Sequence, residues 1–148
     1  MATSSKIRVG IVGASASRGF ASIAHIPALR ALPQFEIAAV CTTRRESAEA
    51  AARHYGVPLA FSDPAQLAGH PDVDLVTVSV KVPDHYRPVM AAIEAKKHVY
   101  CEWPLGRDTD EAVSMLDAAQ HWDIQHAVGL QGQVSPAINY LKDLVAEG

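Results

Sequence analysis

Short β-branched runs recur along the whole chain, and each ends at a polar or turn-forming residue. The first, at residues 6–12 (KIRVGIV), stops at Gly13, and the fourth, at residues 75–80 (LVTVSV), stops at Lys81. Runs of this length and composition are typical of strands buried in a parallel sheet. Six strands are predicted, at residues 6–12, 36–41, 59–61, 75–80, 98–102 and 126–130.

Helical patterns fill the intervals between these strands. Helices are predicted at residues 20–32, 47–55, 86–95 and 108–122, and Ser135-Pro136 opens a last one. Regular alternation of strands and helices implies right-handed crossovers and a parallel sheet with helices on both faces. The sequence therefore predicts a Rossmann-like, doubly wound α/β domain that spans residues 1–148.

Some helix ends and buried faces can also be predicted. Pro27 is expected either to kink the first helix or to mark an irregular first turn, and Thr43, three residues before Glu46, predicts a capping box at the second. The first helix is expected to place near one apolar face Phe20, Ile23, Ala24 and Leu29. The helix at residues 108–122 is expected to bury Ala112, Met115, Leu116 and Ala119.

Composition and charge argue against several classes of partner. The formal net charge is −3 and the basic residues are scattered, which gives no electrostatic reason to expect nucleic acid or an anionic membrane. No apolar run approaches a membrane span, and the first strand begins too early for a signal peptide, so we expect a cytoplasmic protein. The two cysteines and seven histidines lack ligand spacing, so we expect buried thiols and no metal site.

A loop of small residues, at positions 13–19 (GASASRG), follows the first strand. Dinucleotide-binding folds use a glycine to turn the chain here, and the next helix aims its N–H groups at the pyrophosphate. Gly13 meets the first need, but Ser15 stands where a second glycine is usual and Gly19 comes late. The alternative is a turn that binds nothing. The candidate phosphate-binding residues are Gly13, Ser15, Ala16, Ser17 and Arg18.

The end of the second strand bears on the choice of cofactor. NAD-binding folds usually place an acid there to hold the ribose hydroxyls, but this strand ends in Thr42, Thr43 and Arg44, followed by Arg45. A carboxylate would repel the 2′-phosphate of NADP, whereas hydroxyls and a guanidinium would accept it. We therefore expect NADP in preference to NAD, with Arg44 the favoured arginine. The alternative is that both arginines only begin a solvated helix.

Several short motifs occur together in the order found in one family. They are Val73-Asp74, His85, Lys97-His98-Val99 before Cys101-Glu102, Pro104-Leu105 and Ser135-Pro136. In this combination the chain resembles, over essentially its whole length, the N-terminal domain of the Gfo/Idh/MocA oxidoreductases. The resemblance implies an NAD(P)-binding domain of an oxidoreductase that acts on a sugar, polyol or related hydroxyl compound.

The resemblance also carries expectations about the whole protein. It implies a C-terminal domain outside this chain, which would contact the small-molecule substrate and through which the full-length protein would form a homo-oligomer. The isolated nucleotide-binding domain is expected to be inactive. It resembles most the branch that contains the galactose-regulon repressor, on the long glycine loop, Val82 to Tyr86, Glu102-Trp103 and Leu130-Gln131-Gly132.

One departure from the family puts the chemistry in question. Members of the family carry Glu-Lys-Pro with the lysine beside the reacting carbon, but here the segment is Glu102-Trp103-Pro104. An indole offers one N–H donor and no base, so it can stack on a nicotinamide, fill the substrate space or pack at a domain interface. A non-catalytic, cofactor-binding sensor or regulator therefore remains an alternative, as does a domain used only for assembly.

The remaining candidates belong to the expected nicotinamide end of the cofactor. Lys81 and His85 are weak candidates for catalysis, since most loop lysines are only solvated and His85 can cap its helix or bond the loop backbone. Glu102 is expected, by resemblance, at the nicotinamide ribose. The candidate cofactor contacts at this end are Val80, Lys81, His85, Glu102, Trp103 and Gln131.

Overall fold

Six parallel strands form one sheet in the computed structural model, which describes residues 6–148. Their order across the sheet is β3-β2-β1-β4-β5-β6, and every pairing is parallel. The predicted doubly wound α/β fold is thereby confirmed. The strands are β1 (Ile7–Val12), β2 (Phe35–Cys41), β3 (Leu59–Phe61), β4 (Leu75–Val78), β5 (His98–Glu102) and β6 (His126–Gly129).

Six helices connect or follow these strands. They are α1 (Ile26–Ala31), α2 (Arg45–Tyr55), α3 (Pro64–Ala68), α4 (Tyr86–Glu94), α5 (Thr109–His121) and α6 (Pro136–Glu147). A π-turn (Ala21–His25) leads into α1, and 3₁₀ turns follow β4 (Val82–Asp84) and β6 (Gln131–Gln133). None of the helices within residues 6–148 is both long enough and apolar enough to span a membrane.

The two faces of the sheet bury separate cores. On one face, Val9 and Ile11 of β1 pack with Ile26 of α1 and Ala51 of α2. On the other face, strand residues from β4 and β5 pack against α3, α4 and α5. This double burial explains why the strands read as continuous apolar runs rather than as alternating ones.

The direction of the strand order reverses at β1, which has β2 on one side and β4 on the other. Chain connections leave β1 and β4 toward opposite sides of the sheet, so a crevice opens beyond their carboxyl ends. Every predicted site residue lies at or beyond the carboxyl end of one of these strands or of a neighbouring strand.

The first predicted helix begins with an irregular π-turn, which is one of the two outcomes expected at Pro27. Pro27 has no N–H to donate to the preceding turn, and the Ile26 N–H bonds instead to the Ala21 carbonyl, five residues back. The buried residues are Ala21 and Ile26, whereas Phe20 and Ile23 are exposed. The predicted apolar face was therefore wrong, because the π-turn rotates these side chains relative to a regular helix.

Three smaller expectations were also wrong. The Thr43 capping box does not form, since α2 begins at Arg45 without a side-chain cap and Ser47 Oγ donates instead to the Arg44 carbonyl. Leu116 of α5 is exposed and Ala112 is only half-buried. Strands β4 and β6 end before the predicted residues 80 and 130, because the segments that follow them turn away from the sheet at the crevice.

At the amino-terminal ends of the strands, away from the crevice, Arg8 of β1 pairs with Asp74, just before β4. Arg8 Nε donates to Asp74 Oδ2 at 2.9 Å, and a second guanidinium nitrogen lies 2.8 Å from Oδ1. These bonds hold the pKa of the Asp74 carboxyl at about 2, well below its usual value. The pair fastens together the two strands that flank the crevice.

Candidate functional site

The turn after β1 brings two strand ends into close contact. Gly13 has a φ of +96°, and its N–H donates to the Cys41 carbonyl of β2 at 2.9 Å. A Cβ at this position would collide with the Ser79 carbonyl beyond β4. Only glycine permits both the positive φ and this approach, so Gly13 sets the shape of the crevice.

The rest of the small-residue loop is anchored at one point. The Tyr55 hydroxyl of α2 donates to the Ser15 carbonyl at 2.6 Å. Ser15 lines the crevice, whereas Ser17 and Arg18 are exposed and line neither of the two cavities described below. The same holds for Ala16, which is half-buried.

A cavity of about 500 Å³, called the first cavity, lies on the β2 side of the crevice. Its walls come from the ends of β1 and β2, the segment after β3, and the start of α4. The lining residues are Val12, Gly13, Ser15, Cys41, Thr42, Thr43, Ser62, Pro64, Val80, Pro83, Asp84, Arg87 and Pro88.

The end of β2 places hydroxyls in the first cavity and a cation beside it. Thr42 Oγ1 lies 2.6 Å from Ser47 Oγ and donates to the Arg44 carbonyl, which fixes its orientation. Arg44 precedes α2 with an extended backbone and an exposed side chain. Arg45 is bonded to Glu49 at 2.7 Å, so its guanidinium is held along the helix.

Three polar residues of the first cavity were missed by sequence reasoning. Ser62 follows β3, Asp84 ends the 3₁₀ turn after β4, and Arg87 lies in the first turn of α4. Arg87 pairs with Asp63 across the cavity rim at 3.0 Å. Their position just beyond strand ends was a usable signal, because ligands in such sheets bind at the carboxyl edge.

A second cavity, of about 680 Å³, opens on the β5 side of the crevice. Five of the predicted residues line it together, namely Val80, Lys81, Glu102, Trp103 and Gln131. Gly19, Phe20 and Ser79 complete the lining. Trp103 is 63% exposed, and the peptide bond to Pro104 is cis.

Glu102 lies at the base of the second cavity, with its side chain 11% exposed. Gln131 Nε2 donates to Glu102 Oε2 at 2.5 Å, and His25 Nε2 lies 2.6 Å from Oε1. Sequence reasoning missed His25. Its placement depends on the π-turn before Pro27, and the irregular turn expected at Pro27 did not specify that geometry.

His85 is fully buried and lines neither cavity. Its Nδ1 lies 3.0 and 3.2 Å from the carbonyls of Pro104 and Leu105, and its Nε2 lies 3.1 Å from the Val80 carbonyl. The ring thus ties the loop after β4 to the loop after β5. This arrangement favours the predicted alternative of backbone bonding over direct catalysis.

The two cysteines lie one on each side of the crevice. Cys41 ends β2 and Cys101 is the penultimate residue of β5, and both are buried and free. Burial raises the pKa of each thiol to about 12.

The geometry defines a class of protein. Two cavities flank the point at which the strand order reverses, and each has the volume of an ordinary small-molecule site. Between them the Gly13 turn lets a ligand approach the backbone where a Cβ would otherwise stand. This combination is that of a dinucleotide-binding Rossmann domain.

Comparison with known families agrees with the geometry. The model of the Gfo/Idh/MocA family, described as an oxidoreductase family with an NAD-binding Rossmann fold, matches residues 7–130. The chain belongs to this family and contains its NAD(P)-binding domain.

Similar curated proteins include both an enzyme and a regulator. The chain is 40% identical to the dehydrogenase aclE of Aspergillus oryzae, over 98% of this chain and 41% of that protein. It is 32% identical to the galactose/lactose metabolism regulatory protein GAL80 of Saccharomyces cerevisiae, over 96% of this chain and 35% of that protein. The chain therefore spans well under half the length of these relatives.

Solved structures give the same two kinds of neighbour. A super-repressor mutant of the yeast galactose regulator superposes with a TM-score of 0.84 at 32% identity, covering 97% of this chain and 39% of that one. A 3-ketoreductase from Actinomadura kijaniata, solved with NADP and TDP-benzene, superposes with a TM-score of 0.84 at 28% identity, covering 97% and 43%.

Proposed function

We propose that the chain binds NADP in preference to NAD, as the cofactor domain of an oxidoreductase. In this proposal the adenosine half occupies the first cavity and the nicotinamide half occupies the second. The observation that carries the preference is the end of β2, where Thr42, Thr43 and Arg44 stand together without a carboxylate. Hydroxyls and a guanidinium suit a 2′-phosphate, which a carboxylate would repel.

The surroundings of Arg44 support this choice. Arg45 is occupied by Glu49 and by the Ala60 carbonyl, and Arg87 by Asp63, so these guanidiniums are already engaged. Within residues 6–148 no carboxylate pairs with Arg44. Arg44 can therefore turn toward a phosphate on the ribose without first breaking an ion pair.

The loop after β1 would hold the pyrophosphate between the two cavities. Gly13 gives the backbone access, and the Ser15 side chain lies at the first cavity. Ala16, Ser17 and Arg18 extend the same loop at the surface, where a backbone N–H, a hydroxyl and a guanidinium can contact phosphate oxygens. The Asp84 carboxylate in the first cavity can accept a hydrogen bond from the amino group of adenine.

The test is calorimetric titration of the chain with NADP⁺ and with NAD⁺. Arg44→Ala is compared with Arg45→Ala, a matched control that removes the neighbouring charge. We expect the wild-type chain to prefer NADP⁺ and Arg44→Ala to lose about tenfold or more in NADP⁺ affinity, with little effect on NAD⁺. Arg45→Ala should keep the preference. Equal binding of both cofactors, or an equal loss in both variants, would reject the NADP preference.

For the whole protein, we propose a reaction on a sugar, polyol or related hydroxyl compound, with substrate contacts and homo-oligomer contacts made by a C-terminal domain. The relatives are much longer than this chain, and among them are a levoglucosan dehydrogenase and a myo-inositol 2-dehydrogenase. Helix α6 is compatible with such a domain, because Ile138, Leu141 and Val145 are exposed along it. In this scheme Lys81 adds a basic side chain to the cavity at which substrate would meet the cofactor.

A second candidate function is a cofactor-binding regulator without hydride transfer. Trp103 favours it, since an indole at this position of the second cavity has no base to offer the substrate hydroxyl. Turnover of a hydroxyl compound by a longer protein that contains this chain, lost in Lys81→Ala, would favour the enzyme. Cofactor binding without turnover of sugars or polyols would favour the regulator.

A further inference from the structure

Three side chains from separate elements meet at the base of the second cavity. His25 ends the π-turn before α1, Glu102 ends β5, and Gln131 begins the 3₁₀ turn after β6. The His25 and Glu102 side chains are 14% and 11% exposed. Polar groups buried to this degree cost free energy unless they find hydrogen-bond partners.

The His25 ring is held in a fixed orientation. The π-turn, which forms because Pro27 lacks an N–H, directs the ring toward the sheet. Phe20 and Tyr100 each pack against it in edge-to-face geometry, with ring centroids 5.4 Å apart in both pairs. These aromatic contacts stabilise the ring in its position beside the Glu102 carboxylate.

The Glu102 carboxylate is correspondingly restricted. Oε1 is turned inward, 2.6 Å from His25 Nε2, and Oε2 accepts from Gln131. Gly129 leaves space for this arrangement, because a Cβ there would lie 3.2 Å from Oε2 and would collide with the Tyr100 hydroxyl.

The contact between His25 and Glu102 is close but poorly aligned. His25 Nε2 and Glu102 Oε1 are both shielded from solvent, and neither makes a hydrogen bond of acceptable angle within the described residues. The pair is therefore incomplete without a small rearrangement. A ligand in the second cavity that bonds Glu102 can provide it, because Glu102 and Gln131 both line that cavity.

We propose that His25 and Gln131 are positioning residues that fix the Glu102 carboxylate for the nicotinamide half of the dinucleotide. Oε1 lies against His25, and Oε2, which already accepts from Gln131, has a further lone pair that can accept a hydrogen bond from a ribose hydroxyl in the second cavity. This inference rests on the proposed dinucleotide function. It assigns to His25 a role in ligand binding although the side chain does not itself line the cavity.

The test compares two ligands, NADP⁺ and its adenosine-side fragment 2′,5′-ADP, which lacks the nicotinamide half. The variants are His25→Leu, His25→Gln, Gln131→Leu and, as a control far from the cavity, His121→Leu at the exposed end of α5. We expect His25→Leu and Gln131→Leu to weaken NADP⁺ about tenfold while 2′,5′-ADP binds as before. His25→Gln should recover most of the loss, because its amide can donate to Oε1.

Each result bears on the inference. An equal loss for both ligands in His25→Leu, or no loss for either, would reject the positioning role and leave the cofactor proposal intact. Should His25→Leu not fold, the exposed Gln131→Leu variant decides by the same comparison. A wild-type chain that binds neither ligand would reject the proposed function and this inference together. A wild-type chain that binds both with equal affinity would reject this inference alone.

Discussion

The first cavity is walled largely by backbone and by compact side chains, whereas polar side chains from distant elements meet at the base of the second. Gly13 and the prolines at positions 64, 83 and 88 shape the first cavity. In the second, the contacts of Glu102 with His25 and Gln131 join three elements that are far apart in the chain. A backbone-built site tolerates side-chain changes around it, and a site built from a polar network depends on every member.

The largest expected effect belongs to the backbone-built side. Gly13→Ala should lower the free energy of unfolding by about 2 kcal/mol or more, because the new Cβ meets the Ser79 carbonyl at a positive φ. Dinucleotide binding should be lost as well. Urea unfolding followed by circular dichroism measures the first effect, and calorimetry measures the second.

Gly19→Ala is the matched control, because φ there is +103° and the nearest heavy atom to an added Cβ is 3.9 Å away. Its loss should stay near about 1 kcal/mol, the cost of conformation alone. Equal losses in the two variants would mean that the approach of β1 to β4 does not shape the crevice.

A smaller effect on the free energy of unfolding is expected at the amino-terminal ends of the strands, where Arg8 of β1 pairs with Asp74 before β4. The folded-state pKa of Asp74 is lowered to about 2 by its bonds to Arg8, so its stabilisation is complete above the unfolded-state pKa of about 3.9. It is lost as the pH falls from there through the folded-state value. The contribution should be at most about 1 kcal/mol, since the pair is about one-third exposed.

The measurement is the free energy of unfolding of the wild-type chain and of Asp74→Asn between pH 7 and pH 2. The difference between them should shrink as the pH falls through this window. A difference that stays constant with pH would show that the carboxylate charge does not stabilise the fold.

The smallest effect on stability is expected in the second cavity. Trp103→Phe should change the free energy of unfolding by less than about 0.5 kcal/mol, because the side chain is 63% exposed. The indole should nevertheless report the ligand, with NADP⁺ quenching its fluorescence. Trp122→Phe should keep this quenching, since Trp122 lies at the end of α5 against Lys96. Quenching that persists in Trp103→Phe would place the nicotinamide half elsewhere.

The contrast between the backbone-built first cavity and the polar network of the second explains which features the sequence could predict. Fold class, strand positions and the Gly13 turn follow from local composition, because buried parallel strands and tight turns restrict which residues they accept. The residues at the end of β2 could also be identified from the sequence, because Thr42, Thr43 and Arg44 follow the strand directly. Family resemblance added Glu102, Trp103 and Gln131.

His25 could not be predicted in this way. Its contact with Glu102 spans 77 positions in the sequence and depends on a π-turn. The sequence prediction assumed a regular 3.6-residue period for that helix, and this assumption gave the wrong buried face. Asp84 and Arg87 were missed because they belong to the first turns after β4, where a charged residue normally indicates only a solvated helix start. Long-range side-chain pairs and local departures from regular helix geometry are what single-sequence patterns do not encode.

The two cysteines allow local opening to be measured separately on each side of the crevice, by the rate at which each thiol reacts with a labelling reagent. Only a thiolate attacks a thiol reagent, and a buried thiol with a pKa of about 12 holds almost none at neutral pH. Labelling must therefore wait until the chain opens locally, at β2 for Cys41 and at β5 for Cys101. Because Cys41 lies in the wall of the first cavity, a ligand seated there would slow its labelling directly. The labelling rates of the two thiols, measured by mass spectrometry, would report the rate of local opening on each side of the crevice. No engineered probe is needed.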